Sequence, residues 1–166
     1  MTDRDATVAD APVLAALFRD CFTATFAHLY APADLHAFLG EFPPARWAAE
    51  LADPAYAVRL AIGDDGPVGY AKLGPPALPG APATAIELRQ LYLLAAAQGG
   101  GHGPALMEWT LATARTSGAT ELWLSVFVDN TRARRFYGRY GFEDRGRYAF
   151  RVGANEDEDR LMRLVL

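Results

Sequence analysis

The chain has 166 residues, of which 51% are hydrophobic and 22% are charged, and its formal net charge at pH 7 is −4. This composition is typical of one globular domain over residues 1–166 and excludes global disorder. The net acidity argues against nucleic acid as a partner, and the one cysteine, Cys21, excludes a disulfide framework and a cysteine-rich metal site.

Signals for export, membrane insertion and metal binding are missing from the sequence. The segment Met1–Asp5 is charged and no apolar region with a cleavage site follows it. Nowhere do about 18 apolar residues run together, as a membrane helix requires. His28, His36 and His102 lack the spacing of metal ligands. We therefore expect a cytoplasmic protein with no membrane partner and no metal site.

Helical spacing characterises the first part of the chain. Asp10 precedes Ala11-Pro12 as an N-cap, and apolar residues then recur every three to four positions as far as Phe22. Two shorter helices are predicted around 33–39 and around Trp47. Strands over 56–62 and 67–73 flank a Gly-Asp-Asp-Gly turn, which predicts a β-hairpin, and the proline-rich segment 74–83 is predicted to be a loop.

The second half of the chain alternates strands with helices. The predicted order is a strand over 85–93, a glycine-rich loop over 98–103, a helix ended by Gly118, a strand over 121–128, a helix over 130–140, a strand over 142–152, an acidic loop over 155–159 and a last strand. Together with the first half, this order indicates one α+β domain with a mixed sheet.

Four glycines fall in five residues between a predicted strand and a predicted helix, at 99–103. Such a loop is either a tight turn or an anion cradle made of backbone N–H groups at a helix N-terminus. The P-loop pattern requires a Gly-Lys pair, which the chain lacks, and the dinucleotide pattern fails at Pro104 or at Leu106. The pattern that fits is Q-x-x-G-x-G, formed by Gln98, Gly101 and Gly103.

This pattern resembles the pyrophosphate loop of the GNAT superfamily of acyl-CoA N-acyltransferases. A second similar segment begins 27 residues after Gly103, with Asn130, Ala133, Phe136-Tyr137 and Gly141-Phe142 in the spacing of the family's second signature. The resemblance covers essentially the whole chain. It implies a mixed, mostly antiparallel central sheet of about six to seven strands, flanked by helices on both faces. The helical front and the ending Asp159–Met162 look most like the PaiA-like branch, which acts on polyamines and small amines.

The resemblance implies acetyl-CoA as the acetyl-donor cosubstrate, and it assigns residues to it. The strand end Leu91-Tyr92-Leu93 would offer backbone groups to the pantetheine and the acetyl carbonyl. Asn130 would hydrogen-bond the pantetheine arm. Basic residues that are usual in the loop are missing here, so either the affinity for CoA is lower or Arg132 compensates. The residues that would wrap the pyrophosphate are Gln98, Gly99, Gly100, Gly101, His102 and Gly103.

Acetyl transfer to an amine requires that the amine lose a proton, that an oxyanion be stabilised and that the thiolate gain a proton. The resemblance places Tyr137 beside the sulfur, where the phenol is the predicted general acid, and Glu87 on the strand before the loop, where it is the predicted base through water. A backbone N–H near Leu93 would stabilise the oxyanion.

Two readings of the function remain open at this point. The first is an N-acetyltransferase that acetylates a primary amine, of a small molecule, a polyamine or a protein, by direct attack in a ternary complex. The alternative is a CoA-binding regulatory module without transferase activity. The acceptor would contact the helices of 22–42 and the loops near Ala77 and Phe150. The acidic run 156–159 is predicted to be a solvated turn, with the alternative that it steers cationic amines. Analogy suggests a homodimer.

Overall fold

The computed structural model describes residues 2–166, so the predicted domain extends one residue beyond it, at Met1. The helices are α1 (Ala11–Phe26), α2 (Pro32–Gly40), α3 (Pro44–Ala52), α4 (His102–Thr116) and α5 (Thr131–Arg139). The strands are β1 (Arg4–Asp5), β2 (Ala57–Gly63), β3 (Gly66–Gly74), β4 (Ile86–Leu93), β5 (Glu121–Phe127), β6 (Glu143–Val152) and β7 (Asn155–Val165). Short 3-10 turns cover Val8–Asp10, Ala27–Leu29 and Ala95–Ala97.

All seven strands form one sheet in the order β1-β2-β3-β4-β5-β7-β6. Every neighbouring pair is antiparallel except β4 and β5, which are parallel. The predicted α+β class and the mostly antiparallel sheet of six to seven strands are therefore confirmed. Within residues 2–166, no helix combines the length and the apolarity needed to cross a membrane.

Helices cover both faces of the sheet because alternate residues of its strands point to opposite sides. On one face, Leu60 of β2 and Tyr70 of β3 belong to a buried cluster with residues of α1 and α3. On the other face, the neighbouring Ala61 and Ala71 belong to a cluster with Leu106 and other residues of α4. The sheet is thus the middle of three layers, as predicted.

Asp10 stands at the predicted N-cap of α1, but its side chain makes no capping bond to that helix. Its carboxylate instead accepts two hydrogen bonds of 2.8 Å from the Arg4 guanidinium and one of 2.7 Å from the Thr7 backbone N–H. The hydrogen bond from Arg4 is the main reason that the pKa of Asp10 falls to about 2. The carboxylate therefore ties β1 to the start of α1.

The predicted acidic loop at 155–159 is wrong, because these residues form the first part of β7. The β6–β7 hairpin turns at Gly153-Ala154, and the acidic segment pairs directly with β6. Arg151 of β6 forms a 2.6 Å ion pair with Glu156, and Arg147 forms one of 3.5 Å with Glu158. Successive acidic residues are typical of a solvated loop, but here two of them form ion pairs with arginines of the neighbouring strand.

The two parallel strands β4 and β5 separate soon after they begin. Their pairing covers two positions, Ile86 with Leu122 and Glu87 with Trp123, although β4 continues to Leu93 and β5 to Phe127. A bulge in β4 adds Arg89 opposite the Lys72–Leu73 step of β3. Strands that separate within a sheet leave unpaired edges, so a gap opens at the carboxyl ends of β4 and β5.

Candidate active site

A cavity of about 1210 Å³ occupies the gap between β4 and β5. This volume exceeds the roughly 300–1,000 Å³ of a site for one drug-sized ligand. The glycine loop and α5 line one end of the cavity, which we call the glycine end. The other end, which we call the acidic end, contains Asp157 and Asp159 of β7 together with aromatic residues of α1 and α2.

The loop before α4 places free backbone N–H groups at the glycine end. Gly99 and Gly101 have φ values of +84° and +87°, a left-handed conformation that favours glycine. Gly101 is the N-cap of α4, so the first N–H groups of that helix have no intrahelical acceptor. Of the predicted pyrophosphate residues, Gln98, Gly99, Gly101 and Gly103 line the cavity, whereas Gly100 and His102 are not among its lining residues.

Arginines of α5 supply the positive charge that the loop lacks. Arg132, Arg135 and Arg139 all line the cavity, and Arg132 donates a hydrogen bond to the side-chain oxygen of Gln98. The predicted compensation by Arg132 is therefore consistent with its position beside the loop. The N-terminus of α4 and these guanidinium groups together make the glycine end attractive to an anion.

The edge of β4 that faces the gap carries unpaired backbone groups. The N–H of Leu94 donates to the carbonyl of Val68 in β3, at 2.8 Å. Hydrogen bonding along an antiparallel strand alternates between its two sides, so the N–H and C=O groups of Leu91 and Leu93 point away from β3. They face the gap that β5 has left. The side-chain amide of Gln98 approaches the carbonyl of Leu93 from this side, at 3.5 Å.

Asn130 and Tyr137 both lie on the cavity wall formed by α5. The side-chain oxygen of Asn130 accepts a 3.2 Å hydrogen bond from the N–H of Ala133 and so caps α5. Its side-chain amide N–H groups have no acceptor within residues 2–166. Tyr137 is 8% exposed, and burial raises its pKa to about 12, so its hydroxyl keeps its proton at neutral pH.

Glu87 is not among the residues that line the cavity. It lies at the closed end of the gap, where β4 still pairs with β5. Its carboxylate accepts a 2.9 Å hydrogen bond from the N–H of Ala77 and lies 3.4 Å from the guanidinium of Arg89. The structure thus does not bring Glu87 together with Tyr137, and its role as the base stays a prediction that requires a path through water.

Aromatic rings form the walls of the acidic end. The rings of Phe22 and Tyr30 are stacked, with 6.1 Å between their centroids, and the centroids of Phe22 and Phe38 are 4.8 Å apart. The ring of Phe38 packs edge to face against that of Phe150 in β6, with 5.8 Å between the centroids. The predicted contribution of the 22–42 helices and of Phe150 to this part of the molecule is consistent with these contacts, whereas Ala77 is not among the lining residues.

The sequence suggested the acidic run 156–159 only as an alternative means of steering cationic amines, and the structure places Asp157 and Asp159 in the wall of the cavity. The Tyr30 hydroxyl donates to one oxygen of Asp157, and the side-chain amide of Asn155 donates to the other, at 2.9 Å. Asp159 is 7% exposed, and burial is the main cause of the rise of its pKa to about 6. The available signal was the spacing of the two aspartates, which places both on one face of a strand.

Tyr92 of β4 connects the two ends of the cavity. Burial raises the pKa of its hydroxyl, and the nearby hydroxyl of Tyr137 and the carboxylate of Asp159 raise it further. The ring of Tyr92 packs against Phe18 and Tyr70, and Tyr92 lines the cavity together with Tyr137 and Asp159. One continuous cavity thus presents an anion-binding end, a phenol and an acidic end.

Comparison with known proteins agrees with this geometry. The sequence matches the Acetyltransferase (GNAT) family over residues 12–142. It is 38% identical over 154 residues to an uncharacterised N-acetyltransferase of Mycobacterium tuberculosis, an alignment that covers 92% of this chain and 96% of that protein. An uncharacterised N-acetyltransferase of Lactobacillus delbrueckii subsp. lactis is 26% identical over 160 residues, which cover 95% of this chain and 92% of that protein.

Solved structures show the same fold. The PaiA N-acetyltransferase of Thermoplasma acidophilum, in complex with coenzyme A, superposes with a TM-score of 0.80 at 19% identity and covers 99% of this chain and 98% of that one. A ribosomal-protein-alanine N-acetyltransferase of Brucella melitensis superposes with a TM-score of 0.74 at 24% identity, and both chains are covered completely. The chain belongs to the GNAT family and is an acetyl-CoA-dependent N-acetyltransferase.

Proposed function

We propose that this enzyme transfers the acetyl group of acetyl-CoA directly to a primary amine while both substrates occupy the cavity. The observation that carries this proposal is the single cavity, which joins an anion-binding end to an acidic end past a buried tyrosine. The donor occupies the glycine end and the amine enters from the acidic end. The large volume of the cavity supports simultaneous occupancy by two ligands.

The donor is held mainly by backbone groups. The pyrophosphate sits on the N–H groups of the glycine loop, at the positive end of α4, and Arg132 adds charge beside it. The pantetheine lies along the open edge of β4, where Leu91 and Leu93 offer hydrogen bonds of the kind that a neighbouring strand would make. The free side-chain N–H groups of Asn130 reach the same arm from α5.

The thioester carbonyl requires a hydrogen-bond donor when the tetrahedral intermediate forms. The N–H of Leu93 faces the gap and has no strand partner there, so it is available to the developing oxyanion. A fixed backbone donor needs no reorganisation during the reaction, which is the main reason that such groups accelerate acyl transfer.

Tyr137 protonates the departing sulfur. A thiol has an ordinary pKa of about 8.5 and a phenol of about 10. Burial raises the pKa of Tyr137 to about 12, so the phenol is protonated when the thiolate forms. The hydroxyl of Tyr137 can therefore give its proton to the thiolate as the carbon–sulfur bond breaks.

The proposal is tested by measuring the CoA thiol that is released from acetyl-CoA in the presence of monoamines, polyamines, amino acids and peptides. We expect amine-dependent thiol release together with an acetylated amine. If CoA binds but no member of the panel is acetylated, the alternative of a regulatory CoA-binding module is supported instead.

The role of Tyr137 is tested with Tyr137→Phe, which removes the hydroxyl and keeps the ring. We expect turnover to fall by about 100-fold or more, the size of a typical general-acid contribution, while the affinity for CoA stays unchanged. Unchanged turnover would remove Tyr137 from the mechanism. Tyr140→Phe is the matched control, because Tyr140 lies on the same segment but is not among the residues that line the cavity.

Two further expectations concern the setting of the enzyme. We propose that it acts in the cytoplasm, where acetyl-CoA is available, and that it forms the homodimer common in such folds. Cell fractionation tests the first expectation, and light scattering of the purified protein tests the second.

A further inference from the structure

Strand β7 presents two kinds of acidic residue on its two faces. Glu156 and Glu158 each form ion pairs with arginines, at distances between 2.6 and 3.5 Å. Asp157 and Asp159 point the other way, into the cavity, and within residues 2–166 no arginine or lysine forms an ion pair with either of them. The glutamates on the outer face of β7 are thus paired with arginines, whereas the aspartates on its inner face have no cationic partner in the part of the chain that the structure describes.

Of these two inward-facing aspartates, Asp159 is the one whose ionised form is destabilised more by burial. It is 7% exposed and lines the cavity, whereas Asp157 accepts hydrogen bonds from Tyr30 and Asn155. Burial raises the pKa of Asp159 to about 6, the charge of Asp157 adds to the rise, and the Ser125 hydroxyl opposes it. A buried carboxylate without a cationic partner is typical of a functional site.

The cationic residues of the cavity lie elsewhere. Arg132, Arg135 and Arg139 come from α5, and the Arg89 guanidinium is bound to the carbonyl of Pro75 at 2.6 Å and 3.2 Å. The cation that complements Asp159 must therefore come from a ligand. A protonated amine supplies it, and aromatic faces beside it add cation–π attraction.

The remaining walls of the acidic end limit what can be attached to that amine. The lining residues from α1 to the start of α3 are Phe18, Phe22, Thr25, Phe26, Tyr30, Phe38 and Phe42, none of which carries a charge. Asp157, the other carboxylate of this end, already accepts hydrogen bonds on both of its oxygens from Tyr30 and Asn155. A second ammonium group on the same ligand would therefore lie mainly against these rings, which is unfavourable. An aromatic or aliphatic body would be stabilised there.

We propose that the acceptor is a small amine with one positive charge on an aromatic or aliphatic body, and that Asp159 binds its ammonium group and receives its proton. This inference rests on the proposed acetyl transfer and names its substrate class. It departs from the polyamines of the PaiA-like branch and assigns proton abstraction to β7 in place of Glu87.

The proton balance of the reaction is complete with these groups. One ammonium proton moves to Asp159 and later to solvent, and the neutral nitrogen attacks the thioester carbon. The carbon–sulfur bond breaks, and the thiolate takes the Tyr137 proton. The second proton that the nitrogen loses restores the phenol. Burial raises the pKa of Asp159 above its ordinary value, which makes this carboxylate a stronger proton acceptor than an exposed aspartate.

Matched amines test the substrate class. We expect kcat/KM for hexylamine to exceed that for 1,6-diaminohexane by at least about tenfold, because the two differ only in the second charge. We likewise expect kcat/KM for 2-phenylethylamine to exceed that for ethylamine by at least about tenfold, because the phenyl ring is buried against the aromatic walls. A diamine that equals or exceeds hexylamine would overturn the proposal.

Asp159→Asn tests the proton acceptor. The groups that face Asp159 are Asp157 on its own strand, Ser125 of β5, Tyr148 of β6, Tyr92 of β4 and Tyr30 after α1. Burial raises the pKa of Tyr92 and of Tyr30, so we expect the fall of the wild-type kcat/KM as the pH drops through about 6 to come from Asp159. Asp159→Asn should lose this pH dependence together with about 100-fold or more of the rate. Loss of the same limb in Glu87→Gln instead would overturn the proposal.

Calorimetry separates this proposal from the proposed transferase reaction. We expect hexylamine to bind the CoA-loaded wild-type enzyme and to bind Asp159→Asn at least about tenfold more weakly. CoA itself should bind both proteins equally, which also shows that the variant folds. Glu156→Gln is the matched control, because it removes an outward charge from the same strand. Equal hexylamine affinity in the wild type and Asp159→Asn would overturn the site, whereas intact amine binding without acetyl transfer would overturn only the reaction.

Discussion

At the glycine end of the cavity the groups that face a ligand are mostly backbone N–H and C=O groups, whereas at the acidic end they are side chains from several distant segments. The loop 98–103, the edge of β4 and α5 form the first end, and the residues of each lie in one short motif. The second end combines Phe22, Tyr30 and Phe38 with the aspartates of β7. A common donor can be bound by a fixed backbone geometry, while the acceptor end is free to change by substitution of side chains.

The two ends also differ in how they affect stability. The glycine end presents N–H groups that the first turn of any helix leaves free. The acidic end keeps a carboxylate buried without a cation, which costs folding free energy when the carboxylate is ionised. The site is therefore preorganised for a cation at the expense of stability.

The largest effect is expected for folding stability in Asp159→Asn. Because the folded-state pKa is raised from 3.8 to about 6, the folded protein binds this proton more tightly than the unfolded chain, and stability is lost as the pH rises through about 6. The loss is about 3 kcal/mol at most, reduced toward about 1 kcal/mol by water in the cavity. Thermal unfolding should show Asp159→Asn more stable than the wild type at pH 8, with the difference shrinking at pH 5. A difference that grows toward pH 5 would contradict this assignment.

Gly101→Ala is expected to weaken the glycine end alone. Its φ of +87° costs an alanine about 1–2 kcal/mol, so the KM for acetyl-CoA should rise about 5- to 30-fold while the KM for the amine stays unchanged. Gly138→Ala is the control, since its added Cβ would meet no atom within 4 Å and its φ is ordinary. Two-substrate kinetics measure both constants, and an effect confined to the amine would contradict the division into two ends.

Gly153→Ala is expected to disturb the acidic end alone. An added Cβ would lie 2.3 Å from the Asp34 carboxyl carbon, so the Asp34 side chain must move away from the β6–β7 turn, and the φ of +56° at Gly153 adds strain for an alanine. We expect the KM for the amine to rise several-fold with that for acetyl-CoA unchanged. The double variant Gly153→Ala, Asp34→Ala should recover part of the loss, because it removes the colliding group. A double variant no better than the single one would show that the collision is not the cause.

The smallest effect is expected for Arg132→Gln. The side chain is exposed and its hydrogen bond to Gln98 is on the surface, so its loss should raise the KM for acetyl-CoA by about three- to fivefold. This increase should diminish at high salt, because the contribution of Arg132 is electrostatic. Arg145→Gln, at an exposed position outside the cavity, is the control.

The same contrast explains what could be predicted from the sequence. The glycine loop, the Asn130 cap and Tyr137 lie in short motifs, so local spacing was enough to place them on their elements. The order of strands and helices followed from periodicity in the same way.

The acidic end could not be predicted because its residues are far apart in the chain. Tyr30 and Asp157 are 127 positions apart, and only the fold brings them into contact. The acidic run 156–159 was misread because four successive charges are typical of a solvated loop. In the structure, the two glutamates of this run face arginines, and the two aspartates face the cavity. The separation of β4 from β5, which creates the cavity and leaves Glu87 outside it, depends on pairing along the whole sheet.

The central claim is that donor and acceptor occupy the two ends of one cavity at the same time. Initial velocities measured over a matrix of acetyl-CoA and hexylamine concentrations test it most directly. Double-reciprocal plots should give intersecting lines, as direct transfer in a ternary complex requires. Parallel lines, together with an acetylated enzyme formed from acetyl-CoA alone, would contradict it, because the acetyl group would then leave the donor before the amine binds.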